Sequence, residues 1–415
     1  MPATSHRAAL IGIYTAIFVS STGIGSLLPV LPLYLRERHA SFALVGVIVA
    51  SALVAQAVGQ WPAGRLADRI GHREMMVVGL TVAAVASVAF VLPLPVEWLI
   101  VLRVAQGLGF AAATPAERAA VGDLVEPEEM GKAYAWVSGC QMAGFIAGPA
   151  IGGLLAIFGR SAVFIATGVA LLLAALVIAV TLRWSVRKVV AATGTGGLNI
   201  FGRTRMESAV RTVAIISVGL GLLIGIYDVI WSLYMRTLNA SDPVIGISFT
   251  LFALPFLIAT PLAGWVADRW DRRWVAIGSV IVGSLIGPFY PFMRDIPLVM
   301  VVGAGEATTW AFNGPAMNAY LMDAVPDRKA EAQGVVGTAM SAAQAVGSVV
   351  GGALFGIGVG APFYVAGAAG VLFALLAVPG LRALGPSAPA ADERNEQPGH
   401  EWSRAGERES GADAG

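Results

Sequence analysis

Charge is what this 415-residue chain has least of. Only 13% of its residues are Asp, Glu, Lys or Arg, against about 25% in a typical soluble domain. With 57% hydrophobic residues, there is too little polar surface for a water-soluble globule. The formal charges nearly cancel, to +1, and no basic face or recognition module is present, which excludes a nucleic-acid partner. Cysteine occurs once, at Cys140, so no disulfide can form within the chain. Set in an apolar run, it reads as a small packing residue. The four histidines (His6, His39, His72 and His400) lie near or beyond the ends of apolar runs, with no metal-ligand cluster or nucleophile–base pair around them. A membrane-embedded enzyme therefore has little to work with, and neither cofactor nor metal is expected.

Apolar sequence is abundant. A helix crossing a bilayer needs about 20 mostly apolar residues. Twelve such spans can be marked: 8–33, 42–62, 75–94, 98–119, 133–157, 162–182, 212–235, 244–265, 275–293, 297–320, 332–357 and 362–381. The first is too long for the core of a signal peptide and is followed by further spans, so it reads as retained. With the N terminus inside, Arg36, Arg38, Arg160, Arg236 and Arg294 are the five of 27 Lys and Arg residues that fall outside, and Arg103 lies within a span. The positive-inside rule then puts both termini in the cytoplasm.

The spans form two sets. Residues 64–73 read Gly-Arg-Leu-Ala-Asp-Arg-Ile-Gly-His-Arg, and residues 264–273 read Gly-Trp-Val-Ala-Asp-Arg-Trp-Asp-Arg-Arg. Asp68 matches Asp268, Arg69 matches Arg269 and Arg73 matches Arg273; Tyr34 and Tyr234 match at the same offset of 200 residues. So long an offset lies outside solenoid periods and points to a duplicated bundle, as in secondary transporters. The expected fold is an all-α membrane protein, with twelve transmembrane helices in two pseudo-symmetric six-helix bundles around a central cavity. The first bundle would occupy 1–182 and the second 212–382. Between them, 183–211 forms a cytoplasmic linker, glycine-rich and basic, suited to flexibility and to the anionic inner leaflet. The tail, 383–415, has the composition of a disordered segment.

Three motifs carry a resemblance. One is the 64–73 loop with its weaker copy. The second is Arg103-Val-Ala-Gln106-Gly107-Leu-Gly109 in span 4. The third is Gly144-Phe-Ile-Ala-Gly148-Pro149-Ala-Ile-Gly152-Gly153 in span 5, with a weaker counterpart at Gly347, Gly351 and Gly352 in span 11. In this order they resemble the major facilitator superfamily, and more narrowly its 12-span drug/proton antiporter family, over roughly residues 8–382. The resemblance implies alternating access, with a proton gradient as the energy source. It also implies that the loop cluster latches the halves on the cytoplasmic side: Gly64, Asp68, Arg69, Gly71, Arg73 and Asp123, with Gly264, Asp268, Arg269 and Arg273 in the second copy. Physically, Gly64 permits close helix approach and Gly71 a tight turn, while Asp68 can cap a helix or pair with a cation. The family usually has Arg or Lys where this chain has His72, so both His72 and Arg73 are candidates to pair with Asp123. Glu126, Asp323 and Asp327 are the other acids within reach.

Three charges lie deep in spans: Arg103 in span 4, Asp228 in span 7 and Glu306 in span 10. Intramembrane charges are costly unless paired or hydrated. Spans 1, 4, 7 and 10 line the cavity in the superfamily, and a desolvated carboxylate is suited to carry a proton. The resemblance makes Arg103 the span-4 arginine linked to proton coupling, with Asp228 and Glu306 as coupling acids that face the cavity. A buried Arg103–Asp228 ion pair is the structural alternative. Span 1 carries no acid, and Glu117, beside Arg118, reads as half of a local interfacial pair.

The span-5 residues Gly144, Gly148, Pro149, Gly152 and Gly153 allow close packing and a bend, and by resemblance mark an antiporter. Pro29, Pro32, Pro255, Pro261 and Pro315 are further candidate bends. Tyr14, Gln56, Gln141, Tyr227, Trp231, Trp310 and Asn313 are candidate cavity residues for amphipathic or cationic organic compounds. The expectation is a monomeric, proton-coupled exporter of small organic or drug-like molecules in the cytoplasmic (plasma) membrane. Its partners would be the small-molecule substrate, protons and the bilayer. A proton-coupled importer of a sugar, organic acid or osmolyte is the alternative.

Overall fold

The computed structural model describes residues 3–182, 205–325 and 328–384; within these, the side chains of Gly264, Asp268 and a few other residues are not described. Most of the expected linker, the tail from 385 and Asp327 lie outside the described residues.

The first half comprises α1 (Ala3–Glu37), α2 (Phe42–Ile70), α3 (His72–Ala89), α4 (Leu99–Leu124), α5 (Met130–Leu155) and α6 (Arg160–Thr181). The second comprises α7 (Arg205–Thr237), α8 (Asp242–Arg269), α9 (Arg272–Ile286), α10 (Ile296–Ala311), α11 (Asn313–Ala324), α12 (Lys329–Ile357) and α13 (Ala361–Leu384). Among the described residues, eleven helices are long and apolar enough to cross a membrane. The twelfth crossing is where span 10 was expected as one helix over 297–320. It is made of α10 and α11 together, interrupted at Phe312. Pro315 accounts for the break, because it has no N–H to donate to the carbonyl of Ala311 and its ring crowds that carbonyl.

The duplication is visible atom by atom. Tyr34 donates its hydroxyl to the carbonyl of Phe90 at 2.6 Å, and Tyr234 donates to Tyr290 at 2.7 Å. Each bond ties the first helix of its half to the end of the third. His39 and Asn239 follow, both at φ +61°, and the amides of Ala40 and Ala240 close the same turn onto Leu35 and Met235.

One end of the molecule is sealed and the other is open. At the Tyr34/Tyr234 end, a single apolar core spans both halves and includes Leu31, Ile48, Phe164, Trp231, Ile245 and Phe355. At the opposite end the halves keep separate cores, one around Met76, Ala116 and Ile178, the other around Ala276, Tyr320 and Leu381. The halves meet through α2 against α12 and α5 against α8. Both crossings are built on glycine. A β-carbon on Gly352 would lie 3.0 Å from Gly46 Cα, and one on Gly153 would lie 3.0 Å from Gly246 Cα. Gly46 and Gly246 are one repeat length apart, as are Gly152 and Gly352. The phenyl rings of Phe42 and Phe355 meet at 5.3 Å across the first crossing. Thr250 donates to the carbonyl of Ile146 at 2.8 Å across the second.

Candidate functional site

A cavity of ≈350 Å³ lies between the halves and is lined by α1, α2, α3, α4, α5, α7 and α12. Its polar lining includes Gln56, Arg103, Glu117, Gln141, Asp228 and Gln344, and its apolar lining includes Phe110 and Phe145.

The span-4 motif positions Arg103. A β-carbon on Gly107 would meet Ala55 Cβ of α2 at 2.9 Å, and one on Gly109 would meet Ala83 N of α3 at 2.9 Å. Without side chains at these positions, α4 wedges between α2 and α3. Gln106 is thereby buried, accepts from Arg103 Nη1 at 2.9 Å and donates to Ser87 Oγ at 2.8 Å. Arg103 Nε is buried without a partner. Asp228 sits on the same cavity and accepts from Gln344 Nε2 at 2.8 Å. Arg103 and Asp228 make no contact ion pair; both line the cavity, one from each half.

Glu306 differs from its expected position. It is 0% exposed and does not line the cavity. Its carboxylate accepts from the hydroxyls of Tyr227 at 2.9 Å and Tyr290 at 2.6 Å, inside the second half. Trp231, Trp310, Phe252 and Phe363 pack around Tyr227. The aromatic residues on α7 and α10 fold inward onto the acid. Three proposed cavity aromatics, Tyr227, Trp231 and Trp310, are therefore core residues in this conformation, and Trp310 Nε1 is left without a partner. Asn313 is also buried and donates to the carbonyl of Ala276 at 3.3 Å. Tyr14 hydrogen-bonds the carbonyl of Ala133 at 3.4 Å, beside Trp136. Of the seven residues proposed for substrate, Gln56 and Gln141 line the cavity.

Glu117 is the opposite case. It was expected in a local pair with Arg118, but it is buried, lines the cavity and makes no ion pair with that arginine. Adjacent residues on a helix project about 100° apart and do not face each other. Gln344 was not singled out at all, although it interrupts an apolar run just as Gln56 and Gln141 do.

The loop motif lies at the open end. Gly71 has φ +113°, the turn that glycine alone adopts without strain. A β-carbon on Gly64 would meet nothing within 4 Å, so no helix approaches there in this conformation. Asp68 and Arg69 are exposed, and Asp68 makes no hydrogen bond or ion pair among the described residues. Arg269 lies over the Trp265 ring at 3.8 Å, and the side chains of Gly264 and Asp268 are outside the description. His72, rather than Arg73, meets Asp123, at 3.4 Å. Arg272 meets Asp323 at the equivalent position of the second half. Arg73 instead donates to the carbonyl of Ala179 at 2.8 Å, and Arg273 to that of Leu381 at 3.0 Å. These contacts tie helices within each half.

The span-5 motif has two faces. Gly144, Gly148 and Gly152 pack against α1: a β-carbon on Gly148 would lie 2.8 Å from Gly25 Cα, and one on Gly144 would lie 2.6 Å from Ser21 Cβ. Gly153 and the carbonyl of Pro149 instead meet Gly246 of the other half. One run thus binds α5 into its own bundle and forms the crossing to the partner bundle. Beyond it, at the sealed end, Arg160 donates to Asp242 across the halves at 2.8 and 3.2 Å, and pairs with Glu37 in its own half. Arg236 pairs with Asp242 from the second half. In the sequence these arginines bear only on orientation.

Comparison with known proteins agrees with this architecture. The chain matches the model of the Major Facilitator Superfamily over residues 13–226 and 213–408. It is 29% identical to Multidrug resistance protein 1 of Bacillus subtilis (strain 168) over 368 residues, covering 85% of this chain and 91% of that protein. It is 27% identical to Quinolone resistance protein NorA of Staphylococcus aureus (strain MRSA252) over 376 residues, covering 88% and 95%. Among solved structures, a bacterial homolog of the human lysosomal transporter Spinster, in an inward-facing and occupied conformation, superimposes with a TM-score of 0.72 at 16% identity, covering 92% of this chain and 97% of that one. The nucleoside transporter NupG superimposes with a TM-score of 0.73 at 16% identity, covering 90% and 99%.

Proposed function

This chain belongs to the Major Facilitator Superfamily and is an integral membrane transporter, not an enzyme; from that premise we propose that it exports small lipophilic organic compounds in exchange for protons. The observation that carries this reading is the cavity between the halves, with Asp228 on one wall and Arg103 on the other. The names of the relatives above, resistance proteins for drugs and quinolones, support drug-like cargo. Few charges, three glutamines and two phenylalanines on the cavity wall suit such compounds.

The direction rests on the Lys and Arg bias, which assigns the open end and both termini to the cytoplasm. The described conformation is then inward-open, in the plasma membrane of the cell. Substrate enters from the cytoplasm, and the halves rock about the α2–α12 and α5–α8 crossings to release it outside. Asp228 is the residue proposed to exchange a proton for substrate. Unloaded, it would take a proton from the outside; facing inward, it would release it as substrate binds. Glu306, reached through the hydroxyl of Tyr227, whose chain neighbour is Asp228, serves as a second acid that responds when α7 moves. The proton gradient supplies the energy, so no cofactor is needed, and the chain acts as a monomer.

The test uses inside-out membrane vesicles with an imposed acidic lumen and a panel of lipophilic organic compounds, sugars and carboxylates. Uptake of the lipophilic compounds into the lumen, with release of protons from it, is the expected result. Movement of substrate and protons in the same direction would establish the importer instead.

A further inference from the structure

The two halves differ at one place where the duplication would make them alike. In the first half, the open-end segment of α1 is closed against α5 by two aromatic rings. Tyr14 donates to the carbonyl of Ala133 at 3.4 Å, and its ring lies 6.4 Å from that of Trp136. The matched pair Tyr34 and Tyr234 aligns α7 with α1, so Ala214 holds the place of Tyr14. For α12 the alignment follows from the crossings. Gly153 meets Gly246 there as Gly352 meets Gly46, so Gly352 is the counterpart of Gly153, one residue on from the match at a constant offset. Val335 then stands where Trp136 does. With both rings replaced by small side chains, a groove of ≈740 Å³ opens between α7, α12 and α13. Ala214, Ile215, Val218, Val335, Ala339 and Phe373 form its apolar lining.

The groove carries charge at one end only. Glu331 and Arg211 stand there. Glu331 is paired with Arg328 at 2.6 Å. Arg211 is exposed and makes no hydrogen bond or ion pair among the described residues; Ile11 holds its place in the first half. Arg211 lies at the open end of the molecule, and Val218 is about 10 Å deeper at helical rise. The groove faces outward. Val346 and Val349, on the same stripe of α12 as Val335 and Ala339, are exposed, and so are Leu372 and Leu376 beside Phe373 on α13. In a chain that spans a membrane, such apolar exposure is the surface turned to the bilayer. A cation thus marks the membrane surface, and an apolar floor runs inward from it.

We propose that this groove is a binding site for an anionic phospholipid of the cytoplasmic leaflet, with the lipid phosphate on Arg211 and one acyl chain along Ala214 and Val218. The order of the two parts matches a lipid standing in its own leaflet. The floor would hold an acyl chain of any lipid, and Arg211 adds the preference for a negative head group. A lipophilic cation would be repelled at the rim, and a small soluble anion would gain nothing from the floor. Deeper in the membrane, α7 and α12 touch backbone to backbone, where a β-carbon on Gly221 or Gly225 would strike Met340 or Gln344. Gln344 also holds Asp228 of α7. A lipid in the groove would therefore brace the two helices that carry this bond. The proposal takes the cytoplasmic assignment of the open end from the Lys and Arg bias and does not depend on the direction of transport.

Lipid quenching tests it. Full-length protein with Cys140→Ala and Leu376→Cys carries a fluorophore at the groove edge and is placed in phosphatidylcholine vesicles. The probes are phosphatidylglycerol and phosphatidylcholine with the same nitroxide on the acyl chain. Labelled phosphatidylglycerol should reach half-maximal quenching at about five- to tenfold lower content than labelled phosphatidylcholine, the worth of one Arg near an anionic head group. Arg211→Gln should remove that difference, and Arg211→Lys should recover most of it. Ala214→Tyr, which puts back the ring of the first half, should also remove it by filling the groove. Equal quenching by the two lipids in wild type would overturn the site, leaving ordinary bilayer contact. A preference that survives Arg211→Gln or Ala214→Tyr would also overturn it, because the lipid would then sit elsewhere. Displacement of the labelled phosphatidylglycerol by tetraphenylphosphonium would assign the groove to a cationic compound instead.

Discussion

The ion cluster at the sealed end offers a quantitative test of the rocking motion. Arg160 and Asp242 join the halves there, with side chains only 12% and 19% exposed. A hydrogen bond to a charged group contributes about 1.5–3 kcal/mol. Asp242 keeps Arg236 when Arg160 is removed, so no acid is left without a partner and the lower end of that range applies. About 1.4 kcal/mol corresponds to tenfold in a population ratio. Arg160→Gln should therefore shift the equilibrium about tenfold toward opening of the sealed end. Glu37→Gln serves as the control, because it removes a pair within one half and spares the crossing. Spin labels at the exposed positions Phe158 and Ile357, one in each half, would report the separation in a protein whose Cys140 is replaced by Ala. A longer-distance population that grows in Arg160→Gln but not in Glu37→Gln is expected. Identical distance distributions in wild type and Arg160→Gln, or the same shift in the control, would refute the assignment of this cluster as a closure contact.

Gly153→Val should block transport while leaving expression and the fold of the first half intact, because its clash is with Gly246 of the other half; Gly148→Leu should instead lower yield and thermal stability by forcing α1 from α5. Asp68→Asn should impair transport without affecting membrane insertion, and should raise labelling of cavity cysteines from the cytoplasm; wild-type transport and labelling would reduce the motif to a topological signal. Asp271 caps α9 through the amide of Arg273, and the Arg273 guanidinium hydrogen-bonded to it holds its carboxyl below the usual carboxylate range. A depressed folded-state pKa stabilises above the unfolded value, about 3.9, and that contribution disappears as pH falls through the folded value. Asp271→Ala should thus cost about 1 kcal/mol at neutral pH, with the difference from wild type narrowing below about pH 4; thermal unfolding in detergent at both pH values would show it, and a pH-independent difference would contradict it.

The sequence made the two-half architecture legible because membrane crossings need long apolar runs, and because two copies kept the same residues at one offset. Tyr34 and Tyr234 were visible as a match; that each bonds the carbonyl 56 residues on was not. The break at Phe312 was foreshadowed by Pro315, but whether a proline bends or interrupts a helix depends on its neighbours. The side toward which a deep charge points was the least legible property. Most of these helices are apolar all round, so the polar–apolar periodicity that orients a surface helix is weak. Glu306 and Asp228 therefore looked alike in sequence, yet one turns into an aromatic core and the other into the cavity. Glu117 was read as half of an interfacial pair with Arg118; both line the cavity, but Glu117 is buried there and the two make no contact ion pair. The glycine motif was legible as packing, but its division between α1 and α8 depends on which helices meet it.

Proton release on substrate binding tests the central claim most directly. Purified protein in weakly buffered solution near neutral pH, mixed with a transported compound, should release protons in proportion to occupied sites, read by a pH-sensitive dye. Asp228→Asn should bind the same compound without that release. Substrate binding with no proton release by wild type, or undiminished release by Asp228→Asn, would contradict an exchange of proton for substrate at Asp228.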